Sequence, residues 1–128
     1  MRTKITLQTG SILELDYTSY NTTFNFIQNL ARVIKKDLPN FNLDLANLND
    51  KDLMANIFSV LPNIILNAVM DNQFIQSIFD CADNSKINDE RINKEYFEDV
   101  NNRKDFFLTL FNVAKYNLTP FFPKANIK

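Results

Sequence analysis

The spacing of apolar residues changes once along this chain, and that change restricts the fold more than any other feature. The segments Ile5-Thr-Leu-Gln and Leu13-Glu-Leu-Asp-Tyr17 alternate apolar and polar residues, as half-buried strands do. Between them, Thr9-Gly10-Ser11 holds the only glycine, where a tight turn needs a positive φ. The pattern predicts a β-hairpin over 3–17. A lone hairpin is marginal in water, so it must pack on helices, the simpler expectation, or accept strands from a partner.

Beyond residue 20 the apolar residues recur at helical spacing. The first helical stripe comprises Phe24, Ile27, Leu30, Ile34 and Leu38. Asn21 or Thr22 can cap this helix, and Pro39 ends it. Residues 40–49 alternate apolar residues with many asparagines and predict a loop with one irregular turn.

A second helical region begins after Asp50, a candidate cap. Pro62 within it predicts a kink or the start of a new helix, because proline disfavours helical geometry in the residue before it. Asp71-Asn72 marks a break before a further apolar stripe that ends near Ala82. Residues 83–93 are polar and turn-forming, and they predict a surface loop.

The last third of the chain predicts a short helical turn at 95–99, opened by Asn93 or Lys94. Asp99 can cap the final helix, which runs to about Leu118 and is ended by Pro120. The expected fold class is mainly α with a small N-terminal β-hairpin (α+β). We expect one compact domain over 1–128, made of a hairpin (3–17), a helical bundle (21–118) and a C-terminal tail (119–128).

Composition removes most catalytic chemistry. The chain has no histidine, which is the commonest general base and metal ligand, and a single cysteine, Cys81. One glycine rules out glycine-rich phosphate loops. The acidic loop at 80–90 lacks the ligand spacing and central glycine of a calcium site, and Cys81 beside an apolar stripe is typical of a small buried hydrophobe. We therefore expect no enzyme activity, no catalytic residues, no cofactor and no metal.

Charge and hydropathy narrow the choice of partners. The formal net charge is −1, without the basic stripe that binding to nucleic acid requires. The apolar runs are shorter than a membrane span, and the first residues do not form a signal peptide. We expect no nucleic-acid or membrane partner and an intracellular location.

The final helix carries apolar residues around well over half of its circumference. They are Phe106, Phe107, Leu108, Leu110, Phe111, Val113 and Ala114. A surface helix needs a stripe of only about 100°, so this helix is either buried on two sides or meets a partner. Phe121 and Phe122 follow a proline in an expected exposed tail. The candidate partner-binding residues are Phe106, Phe107, Leu110, Phe121 and Phe122, with core packing as the alternative for the first three.

Three C-terminal motifs resemble the end of small tail-assembly proteins of long-tailed bacteriophages. They are Phe97-Glu98-Asp99, Arg103-Lys-Asp105, and Asn117-Leu-Thr-Pro-Phe-Phe122. The detailed match covers about residues 90–122, and a hairpin followed by Ser19-Tyr20 fits the start of such proteins. The resemblance is to the phage tail assembly chaperones.

That resemblance implies a helical, non-enzymatic protein that transiently covers apolar helices of the tape-measure protein during tail assembly, in the host cell cytoplasm. Its implied partner is the tape-measure protein or another tail protein, and a homo-oligomer stays open. Two alternatives remain. One is a structural tail component of the terminator or connector kind, using the hairpin for strand addition between subunits; the other is a host-directed protein-binding module.

Overall fold

The computed structural model describes residues 3–38 and 51–122. Its strands and helices, in chain order, are β1 (Thr3–Thr6), β2 (Ile12–Leu15), α1 (Tyr20–Asp37), α2 (Lys51–Asn67), α3 (Asn72–Cys81), β3 (Lys86–Ile87), β4 (Glu90–Arg91) and α4 (Phe106–Leu118). Short 3-10 helices cover Lys94–Glu98, Val100–Asp105 and Thr119–Phe121. A mainly helical fold with a small N-terminal hairpin is therefore confirmed. The predicted loop at 40–49 and the tail after Phe122 lie outside the described residues.

The N-terminal hairpin forms where the alternating pattern predicted it. β1 and β2 pair antiparallel with Ile5 opposite Leu13. Gly10 has a φ of 90°, and its N–H donates to the Leu7 carbonyl oxygen at 3.0 Å. A side chain at this position would be strained, which explains why the only glycine stands here.

The predicted surface loop at 83–93 is wrong, because this segment contains a second hairpin. Asn88 and Asp89 have φ values of 52° and 68° and form a two-residue turn between β3 and β4. β3 pairs with β2, which gives a four-stranded sheet in the order β1-β2-β3-β4. Strands of two residues are too short to produce a visible alternation, so the pairing depends on the long-range contact with β2. Among the described strands, β1 and β4 are the sheet edges.

Helix α1 starts one turn earlier than its apolar stripe predicted. Its N-cap is Ser19, whose hydroxyl accepts from the Thr22 N–H at 3.2 Å, so neither Asn21 nor Thr22 is the cap. Phe24 lies 38% exposed, whereas Phe26 is fully buried. The predicted stripe residues Ile27, Leu30 and Ile34 are buried, and Phe24 lies at the edge of the buried face.

The middle of the chain follows the predicted helices with one difference. The predicted break at Asp71-Asn72 is present, and Asp71 caps α3 there, with its carboxylate accepting from the Phe74 N–H at 3.1 Å. Pro62 lies inside α2 and does not begin a new helix. Its ring is on an exposed face, where water can replace the hydrogen bond that a proline cannot donate.

The final helix begins at Phe106, seven residues after the predicted cap. Asp99 instead caps the 3-10 helix Val100–Asp105, with its carboxylate accepting from the Asn101 N–H at 2.9 Å. The predicted turn at 95–99 is present as the 3-10 helix Lys94–Glu98, capped by Asn93. The start of α4 is set by Asp105, because its buried side chain is hydrogen-bonded to the hairpin turn.

Helix α4 lies at the centre of the core. Its buried face contacts α2, α3 and β2, while α1 packs mainly on α3. The buried apolar residues of α4 are Leu110, Val113, Ala114 and Leu118. Side chains from the helices and from both hairpins join them in one contiguous cluster. Much of the apolar circumference of α4 is thus explained by burial on several sides.

Candidate protein-binding surface

Two observations concern metal binding and the reactivity of the cysteine. Within 3–38 and 51–122, no group of three or more Asp, Glu, Cys or His residues is placed to hold a metal ion. Cys81 is fully buried, and burial followed by the nearby charges of Asp80 and Asp83 raises the pKa of its thiol to about 12. The thiol is protonated at neutral pH and is not a nucleophile. Among the helices described, none has the length and apolarity that crossing a bilayer requires.

The five predicted contact residues do not form one surface. Phe106 and Phe107 lie in the first turn of α4, and Phe121 and Phe122 follow its last turn. The helix separates the two pairs by about 17 Å, at 1.5 Å per residue. Leu110 lies between them and is only 1% exposed, so it belongs to the core.

The two C-terminal phenylalanines differ from the expectation of an exposed tail. Phe122 is 8% exposed and packs edge-on against Phe58 of α2, with ring centroids 6.2 Å apart. That expectation is wrong for Phe122, because the 3-10 helix Thr119–Phe121 turns the chain back onto the core. Phe121 is half-buried and stacks on Tyr20 at 5.8 Å. Only Phe121 of this pair presents its ring to a surface.

Phe106 and Phe107 belong to an aromatic cluster at the other end of α4. Phe106 packs edge-on against Phe97, with ring centroids 5.1 Å apart, and its ring centroid lies 6.3 Å from that of Phe79. Phe107 is 41% exposed and contacts Phe106 edge-on. Phe106 therefore packs against the core, and Phe107 is a single exposed ring beside it.

A more extensive aromatic surface surrounds the start of α1. We call it the aromatic patch and define it as Tyr17, Tyr20, Phe24, Tyr116 and Phe121. Tyr20, 66% exposed, stacks between Phe24 at 5.9 Å and Phe121 at 5.8 Å. Tyr17, 45% exposed, stacks on Tyr116 with centroids 4.4 Å apart. Partial burial and the hydrogen bond with Tyr116 raise the pKa of Tyr17, so it stays neutral at physiological pH.

These two sets of stacked rings flank a groove of about 460 Å³. Its lining residues are Tyr17, Thr18, Tyr20, Thr23, Asn117, Pro120 and Phe121. None of these side chains carries a charge at neutral pH. The groove is thus an uncharged depression between exposed aromatic rings.

The groove is held in place by the buried side chain of Asn117. Its amide nitrogen donates to the carbonyl oxygens of Val113 and Cys81, at 3.0 and 3.3 Å. Its amide oxygen accepts from the Thr18 N–H at 3.0 Å. One side chain on α4 therefore fixes both α3 and the connection between β2 and α1, from which Tyr17 and Tyr20 project.

A second depression, of about 900 Å³, lies elsewhere and is lined mostly by polar and charged residues. It separates α1 and α3 from residues 91–95 and is lined mainly by exposed side chains that include Asn21, Gln76, Asp83 and Glu95. Both signs of charge occur there, and Lys94 lies over the Phe79 ring at 5.7 Å. Nothing in this cleft selects a particular ligand, so the aromatic patch is the better candidate.

Four of the five rings in the aromatic patch are not among the contact residues predicted from the sequence. Tyr17 was assigned to the strand pattern and Phe24 to the core stripe, while Tyr116 had no role. The spacing of Tyr20 and Phe24, four residues apart in the first turn of a helix, was an available signal. Phe121 is the one residue common to the prediction and the patch.

Comparisons with known proteins give no relative. No protein-family model, no curated protein and no solved structure matches this chain.

Proposed function

We propose that this chain is a non-enzymatic protein-binding module of the phage tail assembly chaperone kind. In this proposal it transiently covers apolar helices of the tape-measure protein during tail assembly, in the host cell cytoplasm. The aromatic patch, with Tyr20 and Phe121 at its centre, is the contact surface.

The observation that carries the proposal is the exposure of contiguous stacked rings at the start of α1. Exposed aromatic side chains are enriched at the centres of protein interfaces, because they bury a large area for a small loss of conformational freedom. The rings here are contiguous and stand beside a groove, whereas isolated exposed apolar residues such as Met70 are ordinary. The C-terminal motifs support the choice of tail assembly as the setting.

The test is recovery of partners from phage-infected cells with the tagged chain, followed by mass spectrometry. We expect the wild-type protein to recover the tape-measure protein. The double variant Tyr20→Ser with Phe121→Ser is expected to recover at least about tenfold less, the factor that 1.4 kcal/mol of binding free energy produces. Phe122 is left intact because it lies in the core.

The matched control is Met70→Ser, which removes an apolar side chain that is 86% exposed and lies outside the patch. It should recover the tape-measure protein as the wild type does. Far-UV circular dichroism checks that both variants keep their helices. Equal recovery by the double variant, or recovery of only a host protein by the wild type, would contradict the proposal.

A structural tail component is the second candidate, and the exposed edge of the sheet favours it. β1 (Thr3–Thr6) has β2 on one side and no strand on the other among the described residues. Such an edge can accept a strand from a neighbouring subunit. Mass spectrometry of purified particles separates the candidates, since a component is present at fixed copy number and a chaperone is absent.

A further inference from the structure

We infer that Tyr17 and Tyr116 form a site of oxidative modification, at which a one-electron oxidant of phenols joins the two rings into a dityrosine within one chain. Because the bond forms inside the protein, it does not depend on the proposed function. Three features support the site: the contact between the rings, the hydrogen bonds that hold their segments together, and the surroundings of the other oxidisable side chains.

Tyr17 and Tyr116 are the one pair of tyrosines with stacked rings. All four tyrosines of the chain lie within the described residues. The ring centroids of this pair are 4.4 Å apart with 20° between the planes, and the Tyr17 hydroxyl interacts with that of Tyr116. In a tyrosyl radical, much of the unpaired electron lies on the carbons beside the C–O carbon. Neighbouring hydroxyls therefore bring the reactive edges of the two rings together, whereas the ring of Tyr96 contacts Phe97.

Hydrogen bonds from adjacent residues hold this pair in place. The Thr18 N–H donates to the amide oxygen of the buried Asn117 at 3.0 Å, so the residues that follow Tyr17 and Tyr116 are joined directly. The side-chain amide of Asn84 donates to the Tyr17 carbonyl oxygen at 3.0 Å. The backbone at Tyr17 is thus fixed relative to α4, and the contact between the rings is a property of the fold.

Other side chains that readily lose one electron are absent, covered or wrongly paired. The chain has no tryptophan, and its single cysteine, Cys81, is fully buried. Tyr17 and Tyr20 are 45% and 66% exposed, so an oxidant in solution reaches both. Tyr20 stacks on Phe24 and Phe121, and these rings have no hydroxyl to oxidise. Tyr17 is therefore the exposed tyrosine that has a phenol stacked on it.

The coupling step uses only the two phenols and the oxidant. Each phenol gives one electron to the oxidant and its hydroxyl proton to water. A carbon–carbon bond then forms between the carbons beside the two C–O carbons. The hydrogen on each joined carbon moves to the oxygen of its own ring, which restores two phenols. In total the chain loses two electrons and two protons, and the oxidant gains the two electrons.

The product ties the connection between β2 and α1 to helix α4. The neighbouring residues Thr18 and Asn117 are 99 residues apart in sequence, and the new bond closes a loop of the same length. Such a link stabilises the folded state mainly by restricting the unfolded chain, as a disulfide does, and we expect the Tm to rise by about 5–10 °C. It also fixes the Tyr17 side of the groove to α4.

The experiment treats the purified full chain with ruthenium tris(bipyridine) and persulfate under visible light, which removes single electrons from phenols. We expect monomeric protein that shows dityrosine fluorescence and is lighter by two hydrogen atoms. After trypsin digestion, mass spectrometry should find the peptide 5–32, which contains Tyr17, joined to the peptide that begins at Tyr116. The yield should not change with protein concentration, because the bond forms within one chain.

Phenylalanine variants keep each ring and remove its phenol. Tyr17→Phe and Tyr116→Phe should each lose the dityrosine of the monomer, whereas the matched controls Tyr20→Phe and Tyr96→Phe should keep it. Far-UV circular dichroism checks that all four variants are folded. The inference is overturned if the monomer product persists in Tyr17→Phe or Tyr116→Phe, or is lost equally in Tyr20→Phe. It is also overturned if the wild type forms only links between chains at a light dose that couples free tyrosine.

Discussion

The two ends of helix α4 use polar and aromatic residues in opposite ways. At its start, Asp105 is fully buried and joins the helix to the hairpin turn: its carboxylate accepts from the Thr9 hydroxyl at 2.6 Å and from the Thr9 N–H at 3.2 Å. Tyr96 also donates to it, at 3.3 Å. Beyond its end, Phe121 stacks on the exposed ring of Tyr20 at the surface. The first end joins the helix to the N-terminal hairpin, and the second presents partly exposed rings at the surface.

This comparison changes the meaning of the motifs that resemble tail assembly proteins. Phe97 is buried, and Arg103 donates to the carbonyl oxygens of Phe97 and Glu98 at 3.1 and 3.2 Å. Asn117 holds the groove, and Phe122 fills the core beside Phe58. Phe97, Arg103, Asn117 and Phe122 therefore stabilise the fold, and Phe121 is the motif residue whose ring belongs to the aromatic patch.

The largest predicted change in stability tests the role of Asp105 at the start of α4. Asp105→Ala removes the acceptor of the Thr9 N–H and an acceptor of both the Thr9 and Tyr96 hydroxyls, which keep the Ser11 hydroxyl oxygen within reach at 3.0 and 3.1 Å. We expect a loss of about 3 kcal/mol in the free energy of unfolding, because hydrogen bonds to a carboxylate are strong and the Thr9 N–H loses its acceptor. Urea denaturation followed by circular dichroism measures it.

The control for this prediction is Asp99→Ala. Asp99 is exposed and caps a 3-10 helix through one hydrogen bond, so its loss should cost about 1 kcal/mol. If Asp105→Ala lowers the free energy of unfolding by no more than Asp99→Ala does, the buried carboxylate does not hold the hairpin to α4. The start of α4 would then not have the structural role assigned to it.

An intermediate effect comes from the ion pair between α1 and the cap of α3. Arg32 donates to both carboxylate oxygens of Asp71, at 2.8 and 3.1 Å. The hydrogen bonds from Arg32 have the largest effect on the pKa of Asp71, and the hydrogen bond from the Phe74 N–H has the next largest. Together they lower this pKa from 3.8 to about 2. A lowered pKa stabilises the folded state above pH 3.8, and the contribution is lost as the pH falls through 2.

We therefore expect Arg32→Gln to cost about 1 kcal/mol at pH 7, a small value because the Arg32 side chain is 41% exposed and screened by water. The difference from the wild type should shrink between pH 4 and about 2 in urea titrations. Lys35→Gln, on the exposed side of the last turn of α1, should show no such pH dependence. A difference that stays constant down to pH 2 would contradict the assignment.

The helices were predictable because their signals are local. The stripe of α3 and its cap Asp71 are a few residues apart, and the turn at Gly10 is set by one φ angle. The second hairpin was not predictable in this way, because Lys86–Ile87 becomes a strand only by pairing with β2. The start of α4 likewise depends on the contact between Asp105 and Thr9, which are 96 residues apart in sequence.

The candidate surface was the hardest part to predict, since aromatic residues at helical spacing suit a core and an interface equally. Leu110 and Phe122 turned out to be buried, while Phe24 and Tyr20 are exposed. Which rings face outward depends on how α1 rotates against α3 and on where the chain turns after Pro120. These are tertiary properties, and the apolar pattern of a single helix does not contain them.

The smallest predicted change in stability belongs to Tyr20→Ser, and it tests the other end of the comparison. Tyr20 is 66% exposed and stacks on two rings, Phe24 and Phe121, that are themselves partly exposed, so its removal should alter the free energy of unfolding by no more than about 0.5 kcal/mol. Urea denaturation measures this directly. Phe26→Ala is the contrast, because Phe26 is fully buried against Phe74 and its loss should cost about 3–5 kcal/mol. A large loss of unfolding free energy in Tyr20→Ser would mean that the stacked rings support the fold. The exposure of the aromatic patch would then no longer indicate a binding surface.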